Sequence, residues 1–268
     1  MSVLSAVKTV FRSYLVAELV RSRGFVYGLL SFAVWITLFV MPMALFAPPN
    51  IDPGRVSAMI FTATAVFLAY SVATWDWAWL LRWLMHQGIL EYVIASGRSI
   101  YVIYAGIVPI SLMWYLTALG TTCALLSMLL APPRLSVETP WAFVLGYALL
   151  FTVLLGYAML LGGTVIATGS SGPIIEFIGW ILPIATGGLT PLRNLPKIVQ
   201  LIALATPFSY PAELVRYGLA LSTPVINPVK AATIGIIYAA AFLALSMLFM
   251  RYQIRKVLRE GVKSAAMF

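Results

Sequence analysis

Charge is what this chain has least of. Only 9% of its 268 residues are charged while 62% are hydrophobic, and the mean hydropathy is +0.99. A soluble domain carries about 25% charged residues, so the polar side chains here are too few to cover a globular surface. No segment reads as a separate soluble domain. Cysteine is nearly absent as well: Cys123 stands alone inside an apolar run, which excludes disulfides within the chain. With one histidine, His86, beside that one cysteine, a His/Cys metal cluster cannot be built from this chain. The glycine-rich run GGTVIATGSSG at 162–172 lacks the lysine of G-x-x-x-x-G-K-[ST], so it is no phosphate cradle of that type. The chain therefore has no nucleotide-binding domain of its own. The apolar runs offer only scattered Ser, Thr and Tyr, and no convergent polar set that an integral-membrane enzyme would need.

What remains is a succession of long apolar runs. A crossing needs roughly 20 apolar residues, and the length suits six such helices joined by short connections. An all-α integral membrane protein is expected, with spans near Phe25–Phe46, Ser57–Leu81, Ile100–Ala131, Trp141–Thr168, Ile174–Leu189 and Ala231–Met250. Pro109 is expected to kink or break the third, and Gly24-x-x-x-Gly28 at the head of the first permits close helix approach. Ala47–Asn50 with Asp52–Gly54, and Gly169–Pro173, read as turns. The first 23 residues are not a span: Leu4, Val7, Val10, Phe11, Tyr14 and Leu15 recur at helical spacing opposite Ser5, Lys8, Thr9, Arg12 and Ser13, the pattern of an amphipathic helix in the interface plane. The apolar run that follows exceeds a signal-peptide core, so no cleaved signal peptide is expected.

Residues 190–228 differ. Two apolar stretches, Ile198–Ala205 and Ala212–Leu221, are too short to cross and are punctuated by six prolines. A pair of re-entrant or interfacial helices is expected there. Span six is followed by a basic, amphipathic tail.

The net charge of +9 does not point to nucleic acid, because the basic residues sit beside apolar runs as anchors facing membrane lipid. Eleven lysines and arginines fall on one side of the expected topology and six on the other. Excess Lys/Arg marks the cytoplasm, so both termini and segment 82–98 are expected inside, and 190–228 outside, in a multi-pass protein of the cell membrane. Asp76 and Glu176 lie near span ends, where a carboxylate pairs or meets water.

Segment 82–98 is a charged, aromatic interruption between two apolar runs. GILEYVIASGRS within it resembles the stretch that follows the second span in membrane subunits of the ABC-2 transporter family, with Gly88, Leu90, Glu91, Ser96 and Ser99 matching and Gly97 standing where proline is usual. A distal match follows: Pro191 and Pro196, then TPFSYPAELVRYGL with Pro207, Tyr210, Glu213 and Arg216, is similar to the family's region before the last span, with Ile198 in place of the usual aromatic. The resemblance covers the whole chain, from the amphipathic N-terminus to the basic tail.

The resemblance implies a permease without its own motor: a subunit that pairs with a second copy or a paralogue and with separate ATPase subunits, which bind ATP and magnesium, and that exports its cargo. The chain itself would carry no cofactor and no catalytic residue. Segment 82–98 would be the coupling helix, with Arg82, Leu84, Gly88, Ile89, Leu90, Glu91, Tyr92 and Arg98 facing the ATPase. A short amphipathic helix seated in a groove is a recurring docking mode. Apolar spans favour a drug- or lipid-like cargo. A polysaccharide or glycolipid, stacking on Tyr70, Trp114 and Tyr115, is the alternative, and a motor-independent carrier, which would favour inverted repeats, is a third reading. Glu213 and Arg216, three apart, are placed to pair on one face of the outer helix.

Overall fold

The computed structural model describes residues 3–20, 23–45, 51–97, 99–168 and 172–260. The expected turns at 47–50 and 169–171, Arg98, and the tail beyond Glu260 lie outside the described residues. Within them the chain is helical, with no strand. The elements are α1 (Val3–Leu15), α2 (Gly24–Leu45), α3 (Pro53–His86), α4 (Ile89–Ala95), α5 (Tyr101–Leu129), α6 (Pro140–Thr168), α7 (Gly172–Ala185), α8 (Lys197–Leu204), α9 (Ser209–Gly218) and α10 (Pro228–Glu260).

Four of these, α3, α5, α6 and α10, are long and apolar enough to cross a bilayer, and the bent pair α8–α9 makes a fifth if it is taken as one broken span. The protein is an all-α membrane protein. Its hydroxyls agree with that setting: Thr37, Thr62, Thr117, Thr122, Thr152, Thr164 and Thr233 each donate to the carbonyl one turn back, at 2.7–3.0 Å. A hydroxyl without water to bond uses its own helix.

Two helix ends differ from expectation. The second apolar helix does not end at Leu81 but runs to His86, through a π-helical stretch at Val72–Ala78. Of the two outcomes expected at Pro109, a break is not seen: it lies inside α5, one helix of 29 residues, and a missing N–H is tolerable where neighbouring turns stay satisfied. The fifth run closes at Ala185 rather than Leu189, because Gly187 takes φ +79° and turns the chain. At 14 residues it is about 21 Å long, short of the roughly 30 Å core. α10 runs without interruption from Pro228 to Glu260, so it carries the first ten residues of the basic tail.

The chain forms two compact units, Met1–Ala65 with Tyr92–Leu135, and Val66–Glu91 with Ser136–Phe268. In the first, α1 packs on α5. Gly106 makes this possible: a Cβ there would stand 2.5 Å from Val10 and 3.2 Å from the Phe11 backbone nitrogen. Lys8, Thr9, Arg12 and Ser13 stay exposed on the other face. Ile36, Ile60 and Leu126 form a buried core with Phe32, Trp35, Val56 and Leu125 around it. Gly28 receives the Trp114 indole, which also meets Phe25 edge-on at 4.7 Å, so the first-span glycine accommodates a ring within the chain.

In the second unit α6 is the hub, with α9, α10 and the π-helical stretch packed on it. Gly146 admits α9, its absent Cβ facing the Val215 backbone nitrogen at 2.8 Å, and Gly156 admits Phe242 of α10 at 3.0 Å. Without a hydrophobic drive between helices in lipid, such close approach is what holds them. α9 is buried along nearly its whole length.

Candidate functional site

The segment that carries the proposed docking residues begins on the last turns of α3. Trp75 and Trp83 are exposed, and Trp75 and Trp79 lie 5.7 Å apart, in the manner of an aromatic belt. The Arg82 guanidinium sits over the Trp79 ring at 4.3 Å, a cation–π contact, and Arg82 Nε donates to His86 Nε2 at 3.4 Å. Arg82 and Leu84 thus belong to the end of a long helix rather than to the short one that follows.

Gly88 then takes φ +66° and closes α3, its N–H donating to the Met85 carbonyl at 3.0 Å. The left-handed region strains residues with a Cβ, although a Cβ at Gly88 or Gly97 would meet nothing within 4 Å. Both glycines are required by backbone conformation, not by space. α4 is a single helical unit between them, capped where Ser96 Oγ donates to the Val93 carbonyl at 2.7 Å and where Gly97 takes φ +68°. Gly97 thus ends the helix by a positive φ.

α4 divides the expected docking residues into two sets. Tyr92 is 79% exposed and Ile89 38%, while Leu90 is 1% exposed, and Leu84 on α3 is 4%. Leu84 and Leu90 therefore serve the interior, and Ile89 and Tyr92 face outward. Glu91 lies on α4, but its side chain, like Arg98, is outside the described part.

A second polar centre lies in the hairpin of α8 and α9. Glu213 and Arg216 pair with Nη1 3.8 Å from Oε1, both about 95% buried. Glu213 Oε1 accepts from the Leu192 N–H at 3.0 Å and Oε2 from the Val225 N–H at 3.3 Å. Arg216 donates to the Gly187 carbonyl at 2.6 Å and to that of Gly188. The pair thus ties two connecting segments, the one between α7 and α8 and the one between α9 and α10, to α9. Spacing alone had given only the pair, whereas its backbone partners come from 12 to 29 residues away.

Beside it Tyr70 is fully buried, donates to the Phe208 carbonyl and lies 3.3 Å from Thr186 Oγ1. Tyr115 is buried too, and Trp114 fills the space over Gly28. Tyr70 and Tyr115 pack the interior, and half-buried Trp114 is occupied by Gly28 and Phe25. No local pattern announces the π-helical stretch, where Thr74 Oγ1 donates to the Tyr70 carbonyl at 2.9 Å and lies 3.3 Å from the Tyr157 hydroxyl. Gly179 leaves room for the Thr74 methyl at 2.8 Å. Among the described residues no group of three or more His, Cys, Asp or Glu converges as a metal site.

Compared with models of known protein families the chain finds no match, and no curated protein matches its sequence.

Proposed function

We propose that this chain is the membrane subunit of an ATP-driven exporter of the ABC-2 type, which couples a separate ATPase to outward movement of a hydrophobic or amphipathic, drug- or lipid-like molecule. The observation that carries the reading is α4: a one-helix unit, set off by two left-handed glycines directly after the long apolar helix α3, that presents Ile89 and Tyr92 to the outside. A compact amphipathic helix on such a mount fits a groove on a partner, and it falls on the residues GILEYVIASGRS that resemble the family's coupling stretch.

On this reading α2 and α7 complete six crossings. α2, with 22 residues, is about 33 Å long. α7 would cross only with a locally thinned bilayer or with flanking residues completing the passage. Both termini and α4 face the cytoplasm of the cell membrane, α8 and α9 face outward, and two copies, or this chain with a paralogue, form the pathway. ATP and magnesium are held by the partner chain. The buried positions of Tyr70 and Tyr115 favour lipid- or drug-like cargo over a polysaccharide.

The test is co-purification of the solubilised chain with an ABC-type ATPase subunit encoded beside it. Ile89→Asp and Tyr92→Asp alter exposed residues, so they are expected to abolish retention of the ATPase while the permease elutes unchanged from size exclusion. If the ATPase is retained equally by both variants, α4 is not the coupling element. If even the parent chain retains none, the ATP-driven mechanism falls and a motor-independent carrier takes its place.

A further inference from the structure

α8 is amphipathic the wrong way round for a helix in water. Ile198, Leu201 and Ile202 recur at i, i+3 and i+4 and are 73%, 70% and 63% exposed. On the opposite side Gln200, half-buried, donates its side-chain amide to the Leu195 carbonyl at 2.8 Å and to that of Arg193 at 3.3 Å, while Lys197 stands exposed at the helix start. Ala203 is buried on that inner side. A helix that spends a polar side chain on the protein and shows its apolar stripe outward has a non-aqueous neighbour on that stripe.

The geometry limits how that neighbour is met. α8 has eight residues and is about 12 Å long, too short to cross, and it meets the buried α9 at 102°. α9 anchors the hairpin, and α8 lies across its end. Charge supplies the rest. Arg193 and Lys197, both exposed, stand at the start of α8, and residues 190–205 contain no acidic side chain. The acid nearest in sequence, Glu213, is buried and committed to Arg216, Leu192 and Val225. Arg193 is steadied by a 2.6 Å bond from Nη1 to Thr223 Oγ1, so its cation is held in place beside the apolar stripe.

We infer that α8 is a lipid-docking element: Ile198, Leu201 and Ile202 insert at the level where headgroups meet acyl chains, and Arg193 with Lys197 bind the phosphates of anionic lipids. A surface of cations bordering an apolar stripe matches an anionic bilayer face. The inference rests on the chain lying in a membrane, and it is independent of any ATPase.

The test uses the full chain with Cys123→Ser and Ile202→Cys, labelled with a polarity-sensitive fluorophore and reconstituted into mixed phosphatidylcholine–phosphatidylglycerol vesicles, without ATPase. Brominated lipid is expected to quench the label while aqueous iodide does not, whereas a label at exposed Glu138→Cys shows the reverse. Brominated phosphatidylglycerol should quench more strongly than brominated phosphatidylcholine, because two cations near the surface attract the anionic headgroup, and Arg193→Gln with Lys197→Gln should level the two. Iodide quenching at position 202 equal to that at 138 would place the stripe in water and overturn the inference. So would absence of lipid quenching together with Ile202→Cys self-cross-links, which would make the occupant a second copy of the chain. Equal quenching by both lipids in the parent would overturn the anionic-headgroup assignment. None of these outcomes bears on ATPase binding, which is read by co-purification.

Discussion

Arg216 lies one turn after Glu213 on the same helix, and the two are bonded to backbone groups of opposite kind: Glu213 accepts from the N–H groups of Leu192 and Val225, Arg216 donates to the carbonyls of Gly187 and Gly188. The pair is less a bridge between two side chains than a clamp on two loops, and its orientation is fixed by what those loops offer.

Removing one half of the clamp is therefore costly. Arg216→Leu strands a buried carboxylate, a loss of about 3–5 kcal/mol, read as a lowered unfolding temperature of the solubilised protein and as faster proteolysis at 187–195. The exchanged pair, Glu213→Arg with Arg216→Glu, is expected not to recover stability, because donors would then face donors. Recovery by the exchange would mean that the backbone partners contribute little.

Gly146 and Gly120 make a matched test of close packing. A Cβ at Gly146 meets the Val215 backbone nitrogen at 2.8 Å, while one at Gly120 meets nothing within 4 Å. Gly146→Ala is expected to destabilise by about 1–3 kcal/mol through overpacking. Gly120→Ala is expected to be neutral, or stabilising by up to about 1 kcal/mol from helix propensity. Thermal unfolding of the two variants in the same detergent separates them, and equal shifts would contradict the packing account.

Gly88 and Gly97 test the mount of α4. Both have positive φ and open space, so alanine costs about 1–2 kcal/mol at either place, confined to the segment. Asparagine, which tolerates that conformation, should recover part of it. The expected outcome is weakened ATPase retention with an unchanged unfolding temperature for the membrane helices. A global loss of stability would assign these glycines to the fold instead.

How much of this could be read from the residues differs from place to place. The long apolar helices were legible because composition and run length carry them, and the two short helices before α10 were legible from prolines that interrupt apolar runs. Helix ends were not. His86 rather than Leu81 ends α3, and Ala185 rather than Leu189 ends α7, because turn glycines such as Gly88 and Gly187 decide ends while periodicity decides interiors. Exposure along α4 was legible only in part: Ile89 and Leu90 are adjacent and equally apolar, yet one faces out and the other in. Spacing brought Glu213 to Arg216, but the loops they hold come from distant segments, and no local pattern announces them. Thr74, Tyr157 and Gly179 meet only because a π-helical stretch re-aims one turn of α3, which leaves no trace in the sequence.

The most direct measurement of the central claim is site-specific cross-linking of α4 to the ATPase, on a Cys123→Ser background with the complex assembled in membranes. With a short photoactivatable thiol reagent, Tyr92→Cys is expected to form an adduct with the ATPase subunit, and buried Leu90→Cys is expected not to. An adduct at 92 that shifts in yield when ATP is added would tie α4 to the motor's cycle. If Tyr92→Cys labels freely with soluble reagent to the same extent with and without the ATPase, and forms no adduct, α4 is not the element through which this chain is driven.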